Sequence, residues 1–382
     1  MKSTIGYFAA FIALGLATSV LGPTLPFLAE RTNSTLSQTS VLFLVGSAGY
    51  LAGALLSGRM YDRLPGHRVL AAMLLMLAAL LTLVPGLGWL WLLAGVMAGK
   101  GMAEGAIDVG GNALIVWVHG KGVAPFMNAL HFFFGVGAAL APVIFALTNA
   151  RGAILSGFWV LALLIAPAAA WVFWQPSPLH PASQQHAAKI WTNPGLLLLV
   201  ALCLFAYVGA EIGYGNWIFS FTRAQELGDE QMAAFLNSAF WSALTVGRLL
   251  SIPIAMRFSV RTVLLTDLAI CLLSLGVLLV WPGSLAAAWV GTLGLGLGMA
   301  SVFPTTITLA EQRMTLTGQV TSLFFVGSSL GGMFLPWVVG QAFEPLGPIS
   351  MLLIVLLDLL LALALYLSLI FRSRKAPVES PA

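Results

Sequence analysis

The sequence predicts an all-α membrane protein in which twelve transmembrane helices form two pseudo-symmetric six-helix bundles. Three observations predict it. Of 382 residues, 59% are apolar and only 8% are Asp, Glu, Lys or Arg, whereas a soluble globular chain carries roughly 25% charged residues. The apolar residues fall into twelve runs of the length, about 20 residues, that a helix needs to cross the hydrocarbon core. The first six runs also echo the last six at two corresponding places. The mean hydropathy of +0.97 agrees. So few charges cannot cover the surface of a soluble fold, which argues against a soluble enzyme, a disordered chain and a nucleic-acid-binding protein. The net charge of +4 is scattered, with no basic cluster above three residues, as basic cytoplasmic loops of a membrane protein would produce.

The spans follow from cuts at polar and Pro/Gly breaks. Span 1 covers 5–29, where Gly22-Pro23-Thr24-Leu25-Pro26 stands in place of the small-residue cleavage site of a signal peptide, so it reads as an uncleaved span. Span 2 is 37–61 and span 3 is 69–88. Span 4 (90–117) carries Lys100, Glu104, Asp108 and Asn112. Span 5 (124–148) carries Asn128 and His131 and then small residues between Gly135 and Pro142; span 6 is 153–174. The longest polar stretch, 175–192, holds three prolines and reads as a cytoplasmic linker. Spans 7 to 12 run 193–221, 231–256, 262–281, 285–310, 318–343 and 347–371. The domains are therefore 1–174 and 193–371, with a cytoplasmic tail over 372–382. Cys203 and Cys271 both lie inside apolar runs, which supports neither a disulfide framework nor a zinc site.

Orientation follows from the basic residues. With the N-terminus inside, the cytoplasmic side receives Lys2, Arg59, Arg63, Arg68, Lys121, Lys189, Arg257, Arg261, Arg313, Arg372, Arg374 and Lys375. The outer side receives only Arg31, Arg151 and Arg223. This is a positive-inside pattern with both termini cytoplasmic.

The repeat joins Gly53-Ala54-Leu55-Leu56-Ser57 of span 2 to Gly247-Arg248-Leu249-Leu250-Ser251 of span 8, each with an arginine ten residues after its Gly. It also joins Gly99-Lys100-Gly101-Met102-Ala103 of span 4 to Gly296-Leu297-Gly298-Met299-Ala300 of span 10. The offsets are 194 and 197. Halves related in this way are a transporter signature. The loop after span 2, Gly58-Arg59-Met60-Tyr61-Asp62-Arg63-Leu64-Pro65-Gly66-His67-Arg68, resembles the signature loop of the major facilitator superfamily, one residue longer around Pro65. Asp108-Val109-Gly110-Gly111-Asn112, Leu130-His131-Phe132-Phe133-Phe134-Gly135 and the span-7 stretch from Tyr207 to Trp217 resemble the fucose-permease and sodium-dependent glucose transporter branch. The resemblance implies a major facilitator fold with spans 1, 4, 7 and 10 around a central cavity. It also implies a gating role for Asp62, Arg63 and Arg68. The span-1 acid expected of a fucose permease is missing; Thr18, Ser19 and Thr24 are the polar groups there.

Ionisable groups inside a membrane mark function by default. Lys100, Glu104, Asp108 and Asn112 are spaced four apart, so each drifts only about 40° from the last and all share one face. Glu104 lies near the bilayer midplane, Asp108 about 6 Å closer to the cytoplasm. Asp108 precedes Lys121 by 13 residues and His131 follows it by 10, which puts the two at similar depth. Glu104, Asp108 and His131 are thus the cation-coupling candidates, with Glu104 favoured by depth. The plainer reading is a Lys100–Glu104 pair that neutralises itself, with His131 fixing helix packing.

Aligning Gly99 with Gly296 sets Ser301 opposite Glu104 and Thr305 opposite Asp108. Span 7 adds Glu211, Tyr214, Asn216 and Trp217, and span 8 adds Asn237 and Trp241, a mix of aromatic faces and amide or carboxylate edges that suits a sugar ring. With Asn112, Asn128 and Thr305 these are the substrate-binding candidates; the plainer reading of the aromatics is an interfacial belt. Arg248 lies about 15 Å from the depth of Glu211 by residue count, which argues against a pair. Asp358 has no role in this scheme.

The expected function is secondary active transport of a sugar or similar small polar solute by alternating access, coupled to H⁺ or Na⁺ symport. The alternative is a proton-coupled exporter of drugs or amphiphilic compounds. No zinc-protease, nucleophile-turn or nucleotide-loop pattern is present, so no enzyme and no cofactor beyond the coupling ion are expected. The expected setting is a monomer, multi-pass in the lipid bilayer of a bacterial inner membrane.

Overall fold

The computed structural model describes residues 2–151, 153–178, 194–314 and 318–372. The linker over 179–192 and the tail beyond 372 lie outside the described residues. The first half holds α1 (Lys2–Thr18), α2 (Leu21–Arg31), α3 (Leu36–Thr39), α4 (Val41–Arg63), α5 (Gly66–Leu83), α6 (Leu90–His119), α7 (Ala124–Asn149) and α8 (Gly157–Phe173). The second holds α9 (Pro194–Ala224), α10 (Glu230–Arg257), α11 (Val260–Val280), α12 (Leu285–Met299), α13 (Val302–Glu311), α14 (Gly318–Phe343) and α15 (Ile349–Arg372). Polar side chains set several starts: Thr35 and Gln38 form a capping box on α3, and Asp229, Ser259 and Ser284 cap α10, α11 and α12.

Among the described residues, ten helical stretches are long and apolar enough to cross a membrane, and the α1–α2 pair, bent by 45°, makes an eleventh. The 30-residue α6 is the span with Lys100, Glu104 and Asp108, and it completes the twelve. Two spans are broken, each beside a proline. Pro23 lacks the N–H that would close onto Ser19, and Pro304 the one that would close onto Ala300, so the helix is interrupted at Ser19–Val20 in span 1 and at Ala300–Ser301 in span 10.

The packing repeats across the two halves. In the first, α1 packs on α7 and α8, α4 on α6, and α5 on α6 and α8. In the second, α9 packs on α14 and α15, α10 on α12, and α11 on α12 and α15. The halves meet where α7 packs on α10 and α4 on α14, and where α2 leans onto α9.

One seam positions the site. A Cβ at Gly101 would land on the Gly46 carbonyl and one at Gly105 on the Tyr50 carbonyl. Only glycine lets α4 and α6 approach backbone to backbone, as small residues do in membrane helix pairs.

The end of the bundle opposite the Asp62–Arg68 loop is tied shut across the halves. Glu344 accepts from the N–H groups of Leu36 (3.1 Å) and Ser37 (3.2 Å), and Gln341 donates to the Ser37 carbonyl (2.9 Å). Asn149 donates to Glu230, itself 3.1 Å from Arg223. Phe43 meets Trp217 and Phe27 meets Phe219, ring to ring at 6.2 Å.

Candidate functional site

The α6 stripe forms as a single face, but its two carboxylates are held differently. Glu104 is buried and accepts from Lys100 Nζ at 2.8 Å, with Thr18 Oγ1, at the end of α1, 3.3 Å away. The self-neutralising pair therefore exists, despite its less favourable Lys-first order. Asp108 is half-buried and meets no cation among the described residues. It accepts instead from the Tyr50 hydroxyl and from Asn112 Nδ2, the latter at 2.8 Å. The close α4–α6 seam brings Tyr50 there.

His131 is not part of that group. Its ring meets the edge of Phe11 at 5.7 Å, and Phe11 also packs against Gly111 of α6. Phe11 thus stands between α6 and His131, so equal depth does not produce an Asp108–His131 pair. The charge that His131 faces is Arg248 of the other half. Both His131 and Asn128, nearer the Asp62–Arg68 end of α7, are exposed.

In the second half, Arg248 Nη2 lies 3.6 Å from Glu211 Oε1, so the pair that residue counting argued against is formed. Counting treats helices as upright rods and ignores tilt and the reach of the arginine side chain. Tyr207, one turn before Glu211, donates to Glu211 Oε2 and lies 2.9 Å from the Met299 carbonyl at the break in span 10.

Several candidates from span 7 and span 8 are packing residues. Tyr214 is fully buried, its hydroxyl 2.7 Å from Thr292 and its ring against Phe240, so it faces the inside of its own bundle. Trp217 is also fully buried and donates to the Pro336 carbonyl at 2.8 Å; it is core of the closed end, neither an interfacial belt nor an open binding face. Trp241 is 2% exposed and packs on Phe240.

Asn216 spends its Nδ2 on the Ile212 carbonyl (2.9 Å), and Asn237 donates to the Gly215 carbonyl. Gly22 of α2 packs over the Asn237 amide and the Asn216 backbone, with room for no more than a tight Cβ. Ser301 does not mirror Glu104: it donates to Asp267 of α11. Thr305 is half-buried in the first turn of α13. Asp62, Arg63 and Arg68 are exposed at the end of α4 and the start of α5. Asp358 is buried in α15, facing Gly209 of α9.

Tyr50, Tyr207 and His67 were missed by sequence reasoning. His67 is buried, 2.7 Å from the Tyr7 hydroxyl and 3.1 Å from the Gln175 carbonyl, so it ties the loop to α1 and to the start of the linker. Tyr207 was detectable from its four-residue spacing to Glu211, and Tyr50 from the matching glycine spacings of spans 2 and 4.

A broken first and tenth span, glycine-welded helix pairs and a polar cluster at mid-depth are the parts of a two-bundle transporter. The Major Facilitator Superfamily sequence profile matches residues 7–336. The chain belongs to the major facilitator superfamily.

Among superfamily relatives, the chain is 32% identical to sodium-dependent glucose transporter 1A of Mus musculus, over 87% of this chain and 88% of that one. It is 30% identical to sodium-dependent glucose transporter 1 of Homo sapiens, over 87% of this chain and 72% of that one. Two solved superfamily structures share its fold. The nucleoside transporter NupG aligns with a TM-score of 0.78 at 14% identity, over 97% of this chain and 99% of that one. The D-xylose-proton symporter aligns with a TM-score of 0.76 at 15% identity, over 96% and 97%. The exporter alternative finds no support among these relatives.

Proposed function

We propose that the chain is a secondary symporter that carries a sugar, with Na⁺ or H⁺, by rocking 1–174 against 193–371. The observation that carries this reading is Asp108: a carboxylate in the middle of a membrane-spanning helix with neutral hydrogen-bond donors and no cationic partner among the described residues. In hydrocarbon such a group needs a cation. The similarity to sodium-dependent glucose transporters supports Na⁺ and glucose as the first pair to test.

Asp108 is thus the main coupling group. Glu104, already neutralised by Lys100, is the auxiliary one. Asn112 orients Asp108, and Glu211 with Arg248 forms the solute-facing pair of the second half. Asn216 and Asn237 reach the solute when the closed end opens, Thr305 from the other side of the break in span 10, and Asp62, Arg63 and Arg68 gate the other end. With the basic loops cytoplasmic, the tied end is the outer one, so we take the carrier as an inward-facing monomer in a bacterial inner membrane, with turnover that is translocation without chemical conversion.

The test is counterflow and gradient-driven uptake of D-glucose in proteoliposomes with imposed Na⁺ or pH gradients. Asp108→Asn abolishes uphill accumulation and spares exchange. Undiminished uphill uptake by that variant would falsify the assignment of Asp108.

A further inference from the structure

Tyr207 has one hydroxyl hydrogen and two acceptors. Its oxygen lies 2.9 Å from the Met299 carbonyl and also within hydrogen-bond distance of Glu211 Oε2. A phenol donates once. While Glu211 is an acceptor, the hydrogen goes to its carboxylate and the Met299 carbonyl is left without it. When another donor displaces Tyr207 from Glu211 Oε2, the hydrogen is free for Met299.

That carbonyl is not an ordinary one. It ends α12 at the break that Pro304 imposes on span 10, where Ser301 starts α13 and is itself anchored to Asp267. A chain of contacts therefore runs from Arg248, at the boundary between the halves, through Glu211 and Tyr207 to the break. The groups facing it are Arg248 from α10, His131 from α7 beyond Arg248, and Tyr366 from α15, while Asp358 of α15 meets the Ala210 backbone beside it.

We propose that Tyr207 is a positioning residue that couples solute binding at Glu211 to the hinge in span 10. This rests on the reading of Glu211 as a solute-facing group. A solute hydroxyl donating to Glu211 replaces Tyr207 there. The Tyr207 hydrogen then turns to the Met299 carbonyl and tightens the break. The solute class this selects is one with a hydroxyl donor, and an ether or methylated analogue binds without tightening.

The test is amide hydrogen exchange over residues 299–306 of the full chain in nanodiscs, without solute, for the wild type, Glu211→Gln, Tyr207→Phe and the double variant. In Glu211→Gln, donor-only Arg248 orients the amide oxygen towards itself and the NH₂ towards Tyr207. Tyr207 then donates to Met299, and exchange slows about fivefold, as one net hydrogen bond gives. Tyr207→Phe exchanges at least as fast as the wild type, and adding Glu211→Gln to it slows nothing.

Equal exchange in the wild type and Glu211→Gln overturns the coupling. So does slowing that persists in the double variant. If Tyr207→Phe does not fold, the comparison of the wild type with Glu211→Gln still decides. D-Glucose added to the wild type, read against uptake, bears on the proposed function and leaves this comparison untouched.

Discussion

The residue with the largest energetic stake is Lys100. It is 5% exposed and its only described partner is Glu104, itself 6% exposed. Removing one member of a buried pair leaves the other uncompensated, a loss of about 3 kcal/mol or more. Lys100→Met is expected to lower the melting temperature in detergent clearly, and adding Glu104→Gln to recover most of it. A single variant that melts with the wild type would sink the structural role of the pair. The same pairing is why depth alone does not rank the stripe. Glu104 is nearest the midplane, but a lysine one turn away has already satisfied it.

At the scale of elements, the α4–α6 seam decides where Tyr50 sits, and so how Asp108 is held. Gly105→Ala places a methyl on the Tyr50 carbonyl. It is expected to destabilise by about 1–3 kcal/mol and to weaken gradient-driven uptake, because the helices must part. Gly95→Ala is the control: nothing lies within 4 Å of a Cβ there, and thermal unfolding is expected to match or slightly exceed the wild type. Equal melting of both variants would remove the seam from the account.

The helices themselves were legible because an apolar run is a local property, and the repeat was legible because it is written in order along the chain. The pairings were not. Tyr50 and Asp108 are 58 residues apart, and only the helix approach joins them. Asp108 and His131 share a depth, but Phe11 separates them. Arg248 and Glu211 differ in depth along their own helices and still meet. Spacing within one helix predicts which residues share a face; it says nothing of which neighbour that face meets.

At the scale of the whole molecule, the tied end sets the state. Glu344 holds the first turn of α3 through two backbone N–H groups, and Asn149 reaches Glu230 on the other side of the same end. These bonds cross the halves and must break for that end to open. Glu344→Ala is expected to raise the population open at this end several-fold, as the loss of about 1 kcal/mol of exposed hydrogen bonding implies. Distances between spin labels at Arg31 and Leu346 read it out. An unchanged distance distribution would mean that the apolar contacts of Trp217, Phe43, Phe27 and Phe219 hold the end alone.

The Lys100–Glu104 pair has a consequence for the electrical behaviour of the carrier. With both carboxylates ionised, Lys100, Glu104 and Asp108 sum to one negative charge, while Arg248 and Glu211 sum to zero. If one monovalent cation binds at Asp108, as proposed, these groups with the cation sum to zero in the loaded carrier and to one negative charge in the empty one. Membrane voltage then acts on the empty carrier's return, by about 2.3 kcal/mol per 100 mV for a full crossing, and an inside-negative potential drives that anion outward.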